Sequence, residues 1–392
     1  MILGGVSVRI GLVGKPNVGK STFFAASTLI AVDIANYPFC TIDPNVGISF
    51  IPSRLPCPCG ELRARIEEDG RVELSNERGG SICTPRTGSC ENHQRYVPCM
   101  LVDVAGLVPG ASEGRGRGNA FLSDLAECHA LIQVIDVAGT TDAEGNPIGA
   151  GKTKEEAIEQ ALAEVSFLTN ELDAWILSLL KDGWVRGARK IQAEGVKGFI
   201  QFLHDRLSGL GATQSICQRS FDSFFSQHGD MTSPWDWSDD ILVILASSVR
   251  KNLFPLFVAG NKADLAPEGV IEHLSQVIPQ FIPCSAETEF ALRKADEAGF
   301  IEYTSGDSTF SISDKSVLNE AQAKGLEMLQ QRLTKMEGTG LNKLLDRVLF
   351  DELDRIVVYP VQDESHWTDG DGNVLPDALV VESDIQAKEV AY

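Results

Sequence analysis

Residues 14–21 read Gly14-Lys15-Pro16-Asn17-Val18-Gly19-Lys20-Ser21, the spacing G-x-x-x-x-G-K-[ST]. Residue types in that order suit a cradle for phosphate. Without Cβ atoms at Gly14 and Gly19, backbone N–H groups can approach phosphate oxygens closely. Lys20 can then reach the β- and γ-phosphates of a nucleotide, and the Ser21 hydroxyl can join the shell of a Mg²⁺ ion. Pro16, Asn17, Val18 and Thr22 complete the expected phosphate-binding set. The pattern alone occurs by chance. Here a strand pattern over residues 7–13 precedes it and a helix pattern from Ser21 to Ala31 follows, which is the context that makes it specific. The helix N-terminus adds a favourable dipole.

Three further groups extend this chemistry. Asp103-Val104-Ala105-Gly106 ends an apolar strand pattern. The Asp103 carboxylate is placed to hold the Mg²⁺ shell, and the Gly106 N–H to meet a γ-phosphate. Asn261-Lys262-Ala263-Asp264 follows the strand pattern Leu256–Gly260. A carboxylate at Asp264 can accept two hydrogen bonds from N1 and the exocyclic amine of guanine, a donor pair that adenine lacks. Ser285-Ala286-Glu287 follows the next strand, with the Ala286 N–H set for guanine O6. Between the first helix and the second strand, Tyr37-Pro38-Phe39-Cys40-Thr41 offers Thr41 as a Mg²⁺-binding switch residue. Thr28 is an alternative that falls inside the helix pattern. Lys20, Thr41 and Gly106 are the groups expected to act on the transferring phosphoryl.

The elements that must position these residues are legible in outline. Strand patterns occur at 7–13, 46–51, 99–104, 131–137, 254–260 and 280–284, separated by helix patterns, which predicts an α/β fold with a mostly parallel sheet in three layers. Residues 52–97, rich in Pro, Gly, Cys and charge, lack a sustained period. They read as a small subdomain or a functional loop. Over 155–252 the alternation stops. Ile158, Leu162, Val165, Leu168, Leu172, Ile176 and Leu179 recur at helical spacing, as do Ile191, Phe199, Leu203 and Leu207. A further helix is predicted from Ser238 as N-cap, with Asp239 and Asp240 in its first turn. Trp175, Trp184, Trp235 and Trp237 read as packing rather than a ligand box. The expected division is a nucleotide-binding domain over 1–154 and 253–314, an all-helical insertion over 155–252, a helical segment over 315–356 and a hairpin from 357 to 392, turning at Thr368–Asn373.

With 43% hydrophobic and 23% charged residues, the chain has the composition of an ordinary globular protein. A formal net charge of −21 opposes non-specific nucleic-acid binding. DNA is therefore not an expected partner, and any RNA contact needs a local basic patch. No apolar run approaches the ~18 residues of a membrane span, and the first residues lack a signal-peptide pattern. The nine cysteines are odd in number, which suits a reduced, cytoplasmic chain. Cys57-Pro58-Cys59, with Cys83, Cys90 and His93, could supply four zinc ligands, yet the spacing is that of no standard finger or ribbon. Surface or packing thiols are the reading this spacing favours.

The runs Asn36–Asn45, Asp103–Asn119 and Thr368–Pro376 resemble the YchF subfamily of Obg-like GTPases, especially its archaeal members, and the resemblance extends over essentially the whole chain. It implies a G domain, a helical insertion, a C-terminal TGS domain of β-grasp type, and association with the ribosome or RNA. Bacterial and eukaryotic members tend to have a degenerate N-K-x-D and to favour ATP. This chain keeps Asp264, which argues for GTP and GDP. The part after Val357 is shorter than a whole TGS domain. Leu107 stands where Ras-type enzymes place a water-orienting Gln, which implies slow turnover. Asn17 resembles the K⁺-coordinating Asn of some related GTPases; ordering the loop is its plainer role.

Overall fold

The computed structural model describes residues 8–28, 45–69, 74–104, 124–142, 145–148, 152–229, 233–314 and 318–390. The fold is α/β with a mostly parallel sheet, in two compact units: Ile10–Ser21 with Val102–Ala286, and Met1–Arg9 with Thr22–Leu101 and Glu287–Tyr392.

The first of these is built on β5 (Ala130–Asp136), in which every residue is buried. A strand covered on both faces needs an unbroken apolar run, and Ala130–Ile135 supplies one with Gln133 as its one polar member. It pairs in parallel with β1 (Arg9–Val13) on one side and β6 (Leu256–Asn261) on the other. In turn β6 pairs in parallel with β7 (Phe281–Pro283). Parallel strands end on the same edge, so the loops after β1, β5, β6 and β7 gather there. The ends of β1, β6 and β7 carry Gly14–Ser21, Asn261–Asp264 and Ser285–Ala286 of the motifs above.

Five helices of the same unit run Lys154–Lys181, Trp184–Glu194, Val196–Leu207, Gln214–His228 and Asp239–Leu253. Thr153 and Glu156 form a reciprocal capping box that fixes the start of the first. Its buried face is Ala157, Ala161, Leu168, Leu172, Trp175, Ile176 and Leu180. The predicted stripe of larger aliphatics is thus rotated, with Ile158, Leu162, Val165 and Leu179 only half-buried. Two alanines at 157 and 161 allow close approach, a signal that counting bulky residues misses. Trp184, Phe199, Phe202, Phe224 and Trp237 form one aromatic cluster with centroids 5.2–6.3 Å apart. Trp235 does not join a core; it is exposed. No helix among the described residues is long and apolar enough to cross a membrane.

In the other unit β2 (Val46–Pro52) lies beside β4 (Gln94–Asp103), and β3 (Cys90–Glu91) pairs antiparallel with β4, Cys90 opposite Arg95. Helix α1 (Lys20–Thr28) starts at the phosphate-loop lysine. The described residues of 52–97 include helix α2 (Cys59–Asp69), where the sequence shows no sustained period. Helices Glu320–Met336 and Leu341–Asp346, the latter continued by a π-helical turn Arg347–Glu352, lie within the segment 315–356, whose last two residues already belong to a strand. Short strands β8 (Ile301–Glu302) and β9 (Ser311–Ile312) pair with each other. The hairpin is formed by β10 (Arg355–Val358) and β11 (Leu379–Glu382), with Val357 opposite Val380.

Between these strands Tyr359, Val361, Trp367, Val374 and Leu375 pack against Cys57, Cys59, Cys83 and Cys90. An isolated two-stranded hairpin is marginal in water, so from sequence it is expected either to pack on the helices of 315–356 or to be poorly ordered. The apolar side chains between its strands close over the cysteine cluster, so these four thiols are buried groups and not surface ones.

Candidate nucleotide-binding site

The glycines of the 14–21 loop are required by the backbone around them. A Cβ at Gly14 would stand 2.5 Å from the Val134 carbonyl oxygen, and one at Gly19, whose φ is +93°, would stand 2.3 Å from Asn261 Nδ2. Val18 is fully buried and anchors the loop. Pro16 and Ser21 are exposed, and Thr22 is half-buried at the start of α1. Asn17 has a positive φ, and its Nδ2 donates to the Gly145 carbonyl at 2.9 Å. That bond orders the loop. Lys15 is tied to the Asp142 carbonyl and to Glu164, both at 2.6 Å. Burial holds the Glu164 carboxyl above the usual range, against the pull of Lys15.

Lys20 lies at the N-terminus of α1 with its ammonium 2.5 Å from Asp103 Oδ1, and it also donates to the Val104 carbonyl. The structure therefore brings together the lysine of the first motif and the carboxylate of the second. Thr41, Gly106 and Leu107 lie outside the described residues. Thr28 is within α1 with its hydroxyl bonded back to the Phe24 carbonyl, so it is spent on the helix.

The second half of the site is assembled around Asn261. Its Nδ2 donates to the Val18 carbonyl at 2.8 Å, and its Oδ1 accepts from the Ala286 N–H at 3.0 Å. One buried amide thus locks the phosphate loop to the loops after β6 and β7. Asp264, half-buried, accepts from the Ser285 hydroxyl at 2.7 Å, which fixes the carboxylate plane. Glu287 is exposed in the first turn of the helix Ala286–Glu297. Lys262, with φ +63°, sends its ammonium to the Asn17 carbonyl at 3.0 Å, to Thr140 Oγ1 at 2.7 Å and to Asp136 Oδ2 at 3.1 Å.

Asp136 and Thr140 were not anticipated from sequence. Asp136 ends β5 with no exposed surface. It accepts from the N–H groups of Ala138 and Thr140, from both Thr140 and Thr141 hydroxyls, and from Lys262. Burial opposes its charge, but the Thr140 bonds and the Lys262 ammonium outweigh it and hold the carboxyl below the usual range. A lone acid closing an otherwise apolar strand pattern was the available signal. Asp136→Asn should cost about 2–3 kcal/mol, since an amide nitrogen cannot accept what the second oxygen accepts. The chemical-denaturation midpoint and GTP affinity should both fall; unchanged values would remove Asp136 from the support of Lys262. The depressed carboxyl stabilises at every pH above its unfolded value, ~3.9, and is lost only as pH falls through the folded value, so neutral and alkaline pH leave it intact.

A family model described as "Obg-like GTPase YGR210-like, G4 motif-containing domain" matches residues 259–363, and one described as "50S ribosome-binding GTPase" matches residues 9–171. An uncharacterized GTP-binding protein of Methanocaldococcus jannaschii is 43% identical over 98% of this chain and 89% of its own length. The ribosome-binding ATPase YchF of Haemophilus ducreyi is 39% identical over 32% of this chain and 28% of its own. Among solved structures, a GTP-binding protein from Pyrococcus horikoshii superposes with a TM-score of 0.67 at 29% identity, covering 98% of this chain and 88% of that one. With its phosphate loop locked to the Asn261–Asp264 and Ser285–Ala286 loops, the chain belongs to the YchF-type, Obg-like family of P-loop GTPases, a family of nucleotide hydrolases.

Proposed function

We propose that the protein binds GTP with Mg²⁺, hydrolyses it slowly, and works as a cytoplasmic switch on the ribosome or another RNA partner. The observation that carries the reading is the Asp264 carboxylate held by the Ser285 hydroxyl, on loops locked to the phosphate cradle through Asn261, which accepts from the Ala286 N–H and donates to the Val18 carbonyl. A carboxylate held rigidly in this way selects a base with two adjacent N–H donors.

Ser21 and Asp103 offer a hydroxyl and a carboxylate, hard oxygen donors that suit Mg²⁺. When bound, that ion neutralises charge on the β- and γ-phosphates. Lys20, held by Asp103 and Val104, is a point charge that the triphosphate recruits. Thr41 and Gly106 belong to the same proposal as switch residues. Leu107 has no group to orient a water, so turnover should be on the order of 10⁻³ s⁻¹ or slower, the scale of unassisted P-loop GTPases. K⁺ at the Asn17 side-chain oxygen is the second cation of this proposal. The division into G domain, helical insertion, helical segment and TGS portion over 357–392 is part of the proposal. An ATPase reading stands beside it, supported by the likeness to the ribosome-binding ATPase YchF of Haemophilus ducreyi.

Phosphate release from GTP, measured in K⁺ and again in Na⁺, tests the hydrolytic part. Slow release is expected, several-fold faster in K⁺ if Asn17 holds that ion; equal rates remove the K⁺. Co-sedimentation with ribosomes should be stronger with a non-hydrolysable GTP analogue than with GDP. Equal pelleting in both states would rule out the switch.

A further inference from the structure

Cys57 lies just before α2, Cys59 is its first residue, Cys83 follows the 3₁₀ turn Glu77–Gly80, and Cys90 opens β3. Two pairs some thirty residues apart in sequence thus meet in one place. The four sulfurs all lie within 4.8 Å of one another. None of the four residues is more than 2% exposed. The Cys57–Cys83 and Cys59–Cys90 separations are both 3.9 Å. Sulfurs of a disulfide stand about 2.05 Å apart. Four thiolates at Zn–S distances of about 2.3 Å in a tetrahedron stand about 3.8 Å apart. The observed spacing comes close to a tetrahedron's edges, with two of its six separations at 3.9 Å and none above 4.8 Å. It leaves room for one ion at the centre and not for a cluster of several irons.

A second, independent feature is the charge beside the sulfurs. Arg95 is fully buried, with Nη1 3.7 Å from Cys83 Sγ and Nη2 3.0 Å from the Pro376 carbonyl. Its Nε has no hydrogen-bond partner, and among the described residues no carboxylate pairs with it. A buried guanidinium without an anion is strongly disfavoured. Four neutral thiols do not supply that anion, whereas four thiolates around a divalent ion carry a net charge of −2. His93 Nδ1 stands 3.4 Å from Cys59 Sγ, where a ring N–H can donate to a thiolate. Such outer partners are the usual company of a metal-bound sulfur.

We propose that Cys57, Cys59, Cys83 and Cys90 hold one zinc ion as a closed tetrathiolate, with Arg95 and His93 balancing and orienting its sulfurs. All four positions are taken by protein, so the site is structural and not catalytic. Its effect is local to this unit. Residues 52–97 have few large apolar side chains of their own, and a metal is a common substitute for a small core. The segment 359–376 rests on this cage. Leu375 and Val374 pack on the cysteines, Thr84 and Arg86 N–H groups bond the Val374 and Pro376 carbonyls at 2.8 and 2.9 Å, and Arg86 pairs with Asp369 and with Asp377. The zinc therefore staples the C-terminal hairpin to the cysteine-bearing insertion.

Full-length protein purified without chelator should contain one zinc per chain, released in full when a mercurial titrates the thiols. Refolded with Co²⁺, it should show thiolate-to-cobalt charge transfer and the intense visible bands of a tetrahedral site. Cys83→Ser should lose the metal and cleave faster within 359–376 under limited proteolysis, with nucleotide affinity unchanged. If that variant does not fold, the cobalt spectrum of the wild type decides alone. A zinc-exposed chain with four alkylatable thiols and no metal would overturn the proposal. So would two disulfides by intact mass, iron in place of zinc, or an octahedral cobalt spectrum.

Discussion

Asp264→Asn is expected to lower GTP affinity by ~10³–10⁴-fold and to raise affinity for xanthosine triphosphate in return. The Asp264 carboxylate is proposed to accept from guanine N1–H and the exocyclic amine. An amide in its place presents a donor to one of those donors and leaves both unsatisfied. Xanthine carries a carbonyl where guanine has the amine, so the same amide finds an acceptor. The Ser285 hydroxyl can still donate to the asparagine oxygen, as it does to Asp264 Oδ1 at 2.7 Å. The variant should therefore melt where the wild type melts. Competition between fluorescent GTP and unlabelled GTP or XTP reads the exchange. Retained GTP affinity in the folded variant would take base recognition away from this loop.

Lys20→Ala should abolish tight triphosphate binding while the chain still folds. The ammonium is proposed as the charge that meets the β- and γ-phosphates, where a lost contact to a charged group in a partly desolvated site is costly. The fold does not depend on it to the same degree. Its partner Asp103 retains 26% exposure of its side chain, so water can solvate the carboxylate once the lysine is gone. Circular dichroism should be unchanged and GTP titration flat at micromolar nucleotide. A folded variant with wild-type GTP affinity would remove the phosphate-cradle assignment.

What sequence alone reveals about this chain depends on how local each cause is. The phosphate loop is legible because its motif is contiguous between a strand pattern and a helix pattern, although the atoms that exclude a Cβ at Gly14 and Gly19 belong to the distant Val134 and Asn261. The buried strands β1 and β5 are legible because burial on both faces demands an unbroken apolar run. Asp136 escaped notice because it belongs to no contiguous motif. Its meaning comes from Lys262 and from Thr140 after a turn, which only the ladder of β5 against β6 brings together. The four cysteines stand out in the sequence as candidate zinc ligands, but their spacing matches no standard finger or ribbon, so their meeting is not legible there. Cys57 and Cys59 face Cys83 and Cys90 across α2 and β3, and α2 itself, opening with Cys59-Gly60 after a proline, has a weak apolar period. The hairpin strands were read near their places, but their partner was a sulfur cluster whose existence required the tertiary fold.

A calorimetric titration of the wild-type chain with GTP and, separately, with ATP in the presence of Mg²⁺ tests the central claim most directly. GTP should bind at least ~10³-fold more tightly, because the carboxylate fixed beside Ser285 would find its donor pair in guanine and a mismatch in adenine. Equal affinities, or a preference for ATP, would contradict the account and assign the site to an adenine nucleotide.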